Sequence, residues 1–299
     1  MITLIVNPDA GNGKSKKVVN SAIEVLKAKN IPYRVWEAEA FGSAKALAEK
    51  AAAEFDPAAD EPEFLIAVGG DGTFLEVARG ILGSGMPVAT LPAGTGNDFL
   101  KSLGVPLDPQ EALEHILAAQ PRLIDIGKIN GKLFANECGA GFDVTVLDYA
   151  NKAKKFVSGL APYHWGIIRS LFTHKSKPMA ITANGKEVYR GDCLVFSVAN
   201  GKFIGGGIPI SPDADPSSGK LELIVLSACS RLRMASYLPG LLSGKILSFK
   251  DTVVHCQADE VTVEPLGEEN SLRVNVDGEI SNHDRCAFSI LPAALPVHM

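Results

Sequence analysis

Phe64-Leu65-Ile66-Ala67-Val68 runs into Gly69-Gly70-Asp71-Gly72-Thr73, and Val88-Ala89-Thr90-Leu91 runs toward Gly94-Thr95-Gly96-Asn97-Asp98. In each case an apolar, strand-like stretch empties into a glycine-rich loop that opens a helix-like stretch. Glycines without Cβ let the backbone approach a ligand closely, and N–H groups at a helix start face an anion. Two such loops in one small domain point to a polyphosphate. Asp71, flanked by glycines, points to a cation or a phosphate-bound water beside it; the plain alternative is an Asx turn closing a βα connection.

Outward from these loops the pattern alternates. A strand at 2–6, a helix near 15–29, a strand at 33–37 and a helix near 43–55, with Ser43 as N-cap, precede the first loop. A helix at 73–82, a strand at 87–91 and helices at 98–103 and 109–119 follow. Alternating strands and helices predict a parallel sheet covered on both faces. Ligands then sit beyond the carboxyl ends of the strands, where the loops 7–14, 69–73 and 94–98 all lie.

Near Leu123 the pattern changes. Asn130-Gly131 and Asn184-Gly185, each between strand-like runs, are hairpin signals. Further strands are expected at 179–183, 186–190, 193–199, 221–226, 253–256, 260–264, 272–276 and 286–291. This predicts a second, antiparallel β domain, a sandwich, interrupted by helices near 144–173 and 231–242. The two domains are placed at 1–124 and 125–290. The short connection near 121–126 makes the cleft between them the expected active site.

Composition excludes several classes. The chain has 299 residues, 46% of them hydrophobic, and a formal net charge of −5. Disorder is excluded by the first figure, and binding to nucleic acid through bulk positive charge by the second. Cysteines 138, 193, 229, 256 and 286 are dispersed without CxxC spacing, which predicts reduced thiols in a cytoplasmic protein. No leader-like segment precedes the first strand. No apolar run approaches the roughly 20 residues of a spanning helix. The six histidines show no ligand spacing, so no zinc site is expected.

Asn7-Pro8-Asp9-Ala10-Gly11-Asn12-Gly13-Lys14-Ser15 ends like a P-loop. The glycine that pattern needs is replaced by Pro8, which leaves either a different phosphate-contacting turn charged by Lys14 or a simple turn with a solvated lysine. Thr73 is placed to cap the next helix and donate to phosphate. Glu76 falls one turn further on, either facing the loop or simply exposed. Asp98 has the same two readings, ligand or N-cap.

At these residues the chain resembles the diacylglycerol kinase catalytic-domain family, which includes sphingosine kinases and bacterial lipid kinases. The resemblance runs nearly end to end. Asn7-Pro8 with Gly11 and Gly13, the two glycine loops, Gly141-Phe142-Asp143, Gly205-Gly206-Gly207 with Pro212 and Gly219, and Val276-Asp277-Gly278-Glu279 occur in family order. The first glycine loop alone is shared with NAD kinases and, loosely, phosphofructokinases; the second loop and the late Asp-Gly-Glu separate the lipid kinases from them.

The resemblance implies an NAD kinase/phosphofructokinase-like α/β domain and a β-sandwich domain that binds the acceptor, with ATP and magnesium in the cleft and the end of the chain, 291–299, returning to the first domain. Asn7, Gly11, Lys14, Gly69, Gly70, Gly72, Thr73, Glu76, Thr95, Gly96 and Asn97 are the implied nucleotide-binding residues. Asp71 is implied to organise magnesium and phosphates, and Glu279 to act as general base on an acceptor hydroxyl. Read without the family, Glu279 is a hairpin-turn acid. Asp143 is implied to hydrogen-bond the acceptor headgroup; its alternative is a helix N-cap. The family often carries Asp-Gly where this chain has Ser218-Gly219, at a structural magnesium site. Serine is a poor substitute, so the site is lost or Asp215 or Asp213 supplies the charge. Glu37-Ala38-Glu39 lacks the threonine that many members place near the adenosine.

No Asp or Glu occurs from Tyr149 through Lys186. Lys152, Lys154, Lys155, Arg169, Lys175, Lys177 and Lys186 alternate there with Phe156, Leu160, Tyr163, Trp165, Ile167, Ile168, Leu171 and Phe172. Such a stretch fits an anionic membrane surface, or a helix packed on the sandwich with solvated lysines. The expected activity is transfer of the γ-phosphoryl of ATP to diacylglycerol. A sphingoid base, another lipid or a non-lipid alcohol as acceptor, or a non-catalytic nucleotide-binding regulator, are the alternatives. A sandwich edge strand also offers a surface for a homodimer.

Overall fold

The computed structural model describes residues 1–40, 42–59, 62–153, 157, 159–267 and 271–299. Lys154, Lys155 and Phe156 of the basic stretch lie outside them. The chain divides into two compact units, Met1–Asp125 with Ala293–Met299, and Ile126–Pro292.

The first unit alternates β1 (Ile2–Val6), α1 (Lys14–Ala28), β2 (Tyr33–Glu37), α2 (Ser43–Glu54), β3 (Phe64–Gly69), α3 (Asp71–Ile81), β4 (Val88–Pro92), α4 (Asp98–Leu103) and α5 (Pro109–Ala118). Its strands pair in parallel in the order β2-β1-β3-β4. β1, β3 and β4 are buried at every position, as strands covered on both faces must be. Helix α1 turns Val18, Val19, Ala22 and Leu26 inward.

The second unit is antiparallel. It contains the end of β5 (Pro121–Ile129), then β6 (Lys132–Phe134), β7 (Glu137–Gly141), α6 (Phe142–Ala153), α7 (Ala161–Thr173), β8 (Lys177–Ala183), β9 (Lys186–Ala199), β10 (Leu221–Ser227), α8 (Arg231–Leu242), β11 (Val253–Ala258), β12 (Glu260–Pro265), β13 (Leu272–Val276), β14 (Glu279–His283) and the start of β15 (Cys286–His298). Pairing runs β14-β13-β7-β9-β8-β12-β15, with β10 between β9 and β11. Phe134, Phe196, Leu223, Val263 and Phe288 fill its core. The fold is thus an α/β unit with a parallel sheet followed by an antiparallel β unit.

Several local expectations need correction. The runs at 186–190 and 193–199 are one strand: β9 continues through Gly191 (φ 147), still paired with β8, and changes neighbours at Cys193–Val195, from β8 to β7 and β10. The connection at 121–126 is itself the first part of β5, and the two units divide within it, at Asp125 and Ile126. Ser43 is the first residue of α2 rather than its cap. Gly42 holds the cap position in the left-handed region, and the Ser43 hydroxyl is engaged with Ala40.

Candidate active site

Three loops at the carboxyl ends of β1, β3 and β4 form one hydrogen-bonded cluster. Gly11 has φ 59, and a Cβ there would overlap the Ala93 carbonyl oxygen. Gly70 and Gly94 face each other so closely that a Cβ on Gly94 would lie 2.5 Å from the Gly70 Cα. The glycines therefore serve loop-against-loop approach within the protein as well as any ligand.

Side chains complete the cluster. The Asn7 amide donates to the Thr73 hydroxyl at 3.2 Å, while its carbonyl accepts from Asp9 N–H. Thr73 is buried and lies within α3; the cap position belongs to Gly70, so the expected capping role of Thr73 is not realised. Asp71 reaches across to the other loop. Its two oxygens accept from the backbone N–H groups of Asp98 and Phe99, each at 2.9 Å. A carboxylate 27 residues distant in sequence thus caps α4, whose own cap position, Asn97, offers no side-chain bond.

Asp98 is the first residue of α4, not its cap, and pairs with Lys101 at 2.9 Å. A Cβ on Gly96 would sit 3.3 Å from Asp98 Oδ2 and 3.8 Å from Asp71 Oδ2, so two carboxylates border this glycine. The Asn97 amide donates to the Gly94 carbonyl. Both Glu76 oxygens accept from Gly42 N–H at 3.1 Å, which fixes the β2–α2 loop to α3. Lys14 and Thr95 are exposed, Lys14 at the first position of α1 behind left-handed Gly13. Gly69 accepts from the N–H groups of Ala93 and Gly94, and Gly72 stands in the first turn of α3 with open space around its Cα.

In the second unit, β13 and β14 are joined by Asp277-Gly278, both with positive φ, as a two-residue hairpin requires. Asp277 accepts from the N–H groups of Ala135, Asn136 and Glu137 at 2.7, 3.0 and 2.9 Å. The turn is therefore bound to the β6–β7 connection. Glu279 follows it, opposite Val276 and exposed. A carboxylate on a rigid hairpin and open to solvent can accept a proton from a hydroxyl brought to it.

Beside this hairpin lies a buried acid pair. A Cβ on Gly139 would meet Glu137 Oε1 at 2.5 Å and Asp143 Oδ2 at 2.6 Å, so only glycine leaves room for both. Asp143 stands in the first turn of α6. Its carboxylate oxygens are buried, and neither has a partner in hydrogen-bond geometry. Burial pushes its carboxyl up to about 7, only partly offset by the Val144 N–H and the Asn275 amide. Burial also raises Glu137 well above the usual range, reinforced by the charges of Asp143 and Asp277 and opposed by the Ser197 hydroxyl. Two buried carboxyls this close disfavour ionising both together. Glu137 went unnoticed in the sequence; its one signal is an acid inside an otherwise apolar strand.

The remaining metal candidates stand apart in a turn. Asp215 accepts from Ser217 N–H at 2.9 Å. The Ser218 hydroxyl both accepts from the Lys220 N–H and donates to its carbonyl. Ser218 thus closes a turn locally.

A parallel α/β unit carrying paired glycine loops, followed by an antiparallel β unit, is an architecture that lipid kinases share with NAD kinases. Residues 1–129 match the model of the diacylglycerol kinase catalytic domain, and residues 136–299 that of the YegS C-terminal NAD kinase beta sandwich-like domain. The chain belongs to this family of lipid kinases. It is 32% identical to a "Probable lipid kinase YegS-like" of Pseudomonas fluorescens, over 94% of this chain and 90% of the relative. It is 28% identical to a "Diacylglycerol kinase" of Mycobacterium tuberculosis, over 99% and 94%. A solved diacylglycerol kinase of Bacillus anthracis superposes with a TM-score of 0.75 at 24% identity, covering 99% of this chain and 95% of that one.

Proposed function

We propose that the protein transfers the γ-phosphoryl group of ATP to the primary hydroxyl of diacylglycerol, giving phosphatidic acid. The loops around Gly11, Gly70, Gly72, Thr73, Thr95, Gly96 and Asn97 would hold the phosphates, with Asn7 and Lys14 beside them. Asp71, whose oxygens accept the N–H groups of Asp98 and Phe99, would act toward Mg2+ through metal-bound water rather than as a direct ligand. Mg2+ would neutralise phosphate charge. Glu279 would take the proton from the acceptor hydroxyl, and Asp143 would hydrogen-bond the headgroup.

One observation carries the lipid acceptor. Helix α7 turns Pro162, Gly166, Ile167 and Ser170 inward, yet its opposite face exposes Trp165, Ile168 and Phe172. These stand at i, i+3 and i+7, one continuous apolar stripe, with Leu160 and Val157 exposed just before it. The Arg169 guanidinium lies 5.8 Å from the Trp165 ring. An outward apolar stripe with basic neighbours suits a peripheral contact with an anionic membrane. Among the described residues no helix is long and apolar enough to cross one.

A sphingoid base is the second reading, favoured by the Glu137–Asp143 pair, which would hold an ammonium group. Incubation with γ-labelled ATP and magnesium against mixed micelles of diacylglycerol, sphingosine, ceramide and phosphatidylglycerol separates the two. Label in phosphatidic acid, reduced by about 10²–10⁴ in Glu279→Ala, is the expected result. Label in sphingosine supports the second reading. No labelled lipid, with ATP still bound, refutes both.

A further inference from the structure

A second polar cluster lies on the other side of β10. Leu221, Leu223 and Val225 of that strand face the core of the second unit, so Glu222 and Ile224 face the opposite way. Ile224 packs there with Ile210 and Ile246. On the neighbouring strand β11, His255 pairs with Ile224 and Gln257 with Glu222. Glu222 and His255 are therefore diagonal neighbours on one face, and His255 Nε2 contacts Glu222 Oε1 directly. Asp213, from the segment between β9 and β10, comes to the same place. One donor atom from each of the three lies within 4.8 Å of the others.

We propose that Asp213, Glu222 and His255 bind a divalent transition-metal ion of the zinc class, which fastens the segment 201–220 to the sheet. The independent sign is Glu222. It is 1% exposed, and its Oε2 is buried with no hydrogen-bond partner. A buried carboxylate oxygen left without a donor keeps its desolvation penalty uncompensated, and an absent ion is one of the few physical explanations for such a group. Lys220, two positions before Glu222, is paired with Asp259 at 2.6 Å.

The donor set selects the metal. One imidazole nitrogen with two carboxylates suits zinc, and is unlike the all-oxygen shells of magnesium and calcium. Ligand distances near 2.1 Å require donors about 3–3.5 Å apart, so the direct Glu222–His255 contact must open to admit the ion and Asp213 must close on it. Asp213 and His255 are exposed and have room to do so, and water completes the shell. This set shares no residue with the turn of Asp215 and Ser218. Nothing in the histidine spacing reveals it, because His255 follows Glu222 by 33 positions and only strand pairing joins them.

The test uses the full-length protein, stripped with chelator and dialysed. Zinc is titrated calorimetrically, bound zinc is counted by mass spectrometry, and thermal unfolding is followed with and without it. Magnesium serves as the comparison ion. The expected result is one zinc per chain with a raised unfolding midpoint, and weaker magnesium binding. Asp213→Asn, at an exposed position, should weaken zinc by about 100-fold or more while leaving the metal-free midpoint near wild type; His255→Asn should weaken zinc as strongly but lower the metal-free midpoint, because Glu222 loses its partner. No zinc uptake by the wild type, equal affinity in the His255→Asn protein, or tighter binding of magnesium would each overturn the proposal.

Discussion

At the scale of single residues, the most consequential group is Asp143. Its carboxyl titrates at about 7 because burial disfavours the charge, whereas an unfolded aspartate titrates near 3.9. Between these values the folded state holds a proton that the unfolded state has released. The group's contribution is thus present at acid pH and is lost as pH rises through about 7. Asp143→Asn, which cannot ionise, should then be more stable than wild type at about pH 8, by roughly 1–3 kcal/mol, with the difference shrinking toward pH 5. Urea unfolding of both proteins at the two pH values measures this. A difference independent of pH would show that Asp143 is ionised throughout, most simply because Glu137 is protonated in its place. Glu279 is the opposite case: it is exposed, and its value lies in position. The three N–H bonds to Asp277 set that position.

At the scale of elements, Asp71 ties two loops into one. Helix α4 has six residues, too few to hold itself in place, and its first N–H groups depend on a carboxylate from the start of α3. Asp71→Ala leaves the Asp98 and Phe99 N–H groups unpaired and should cost about 2–3 kcal/mol in the absence of nucleotide and metal. Asp71→Asn keeps one carbonyl acceptor and should fall between. Urea midpoints of the three metal-free proteins read this directly; three equal midpoints would reduce Asp71 to a purely catalytic part. The same element shows what a sequence conceals. The glycine loops were legible because close backbone approach requires glycine and because each follows an apolar strand. The target of Asp71 was not, since nothing local tells a carboxylate which distant N–H it will meet. β9 was misread for the converse reason: Gly191 looks like a break, yet a long strand crosses it and changes partners at Cys193–Val195. Glu137 and Glu222 sit in apolar strands, where only tertiary packing decides that an acid is buried.

At the scale of the whole molecule, the end of the chain belongs to its beginning. Ala293, with φ 50, donates its N–H to Asp125 at 2.8 Å, and from there β15 runs into the first unit. Leu295 and Val297 are buried, Val297 pairs in parallel with Val88, and the His298 ring stacks on Phe64 at 4.3 Å. His298 Nδ1 also meets the Ala119 carbonyl at 2.9 Å. Burying the two aliphatic side chains contributes about 3–6 kcal/mol, a large share of the roughly 5–15 kcal/mol that holds a domain. Removal of Ala293–Met299 should therefore unfold or loosen residues 1–125 while the antiparallel unit keeps its core. Limited proteolysis should cut first within 1–125, and calorimetric ATP binding should disappear. Leu295→Ala gives the graded form, about 2–5 kcal/mol less stable, with ATP binding retained at low temperature. If the truncated protein keeps wild-type cleavage and ATP affinity, the last strand is an ornament on a self-sufficient sheet. If it does not, the glycine loops depend on residues at the far end of the chain, and the first unit reaches its native state only once Ala293–Met299 are in place.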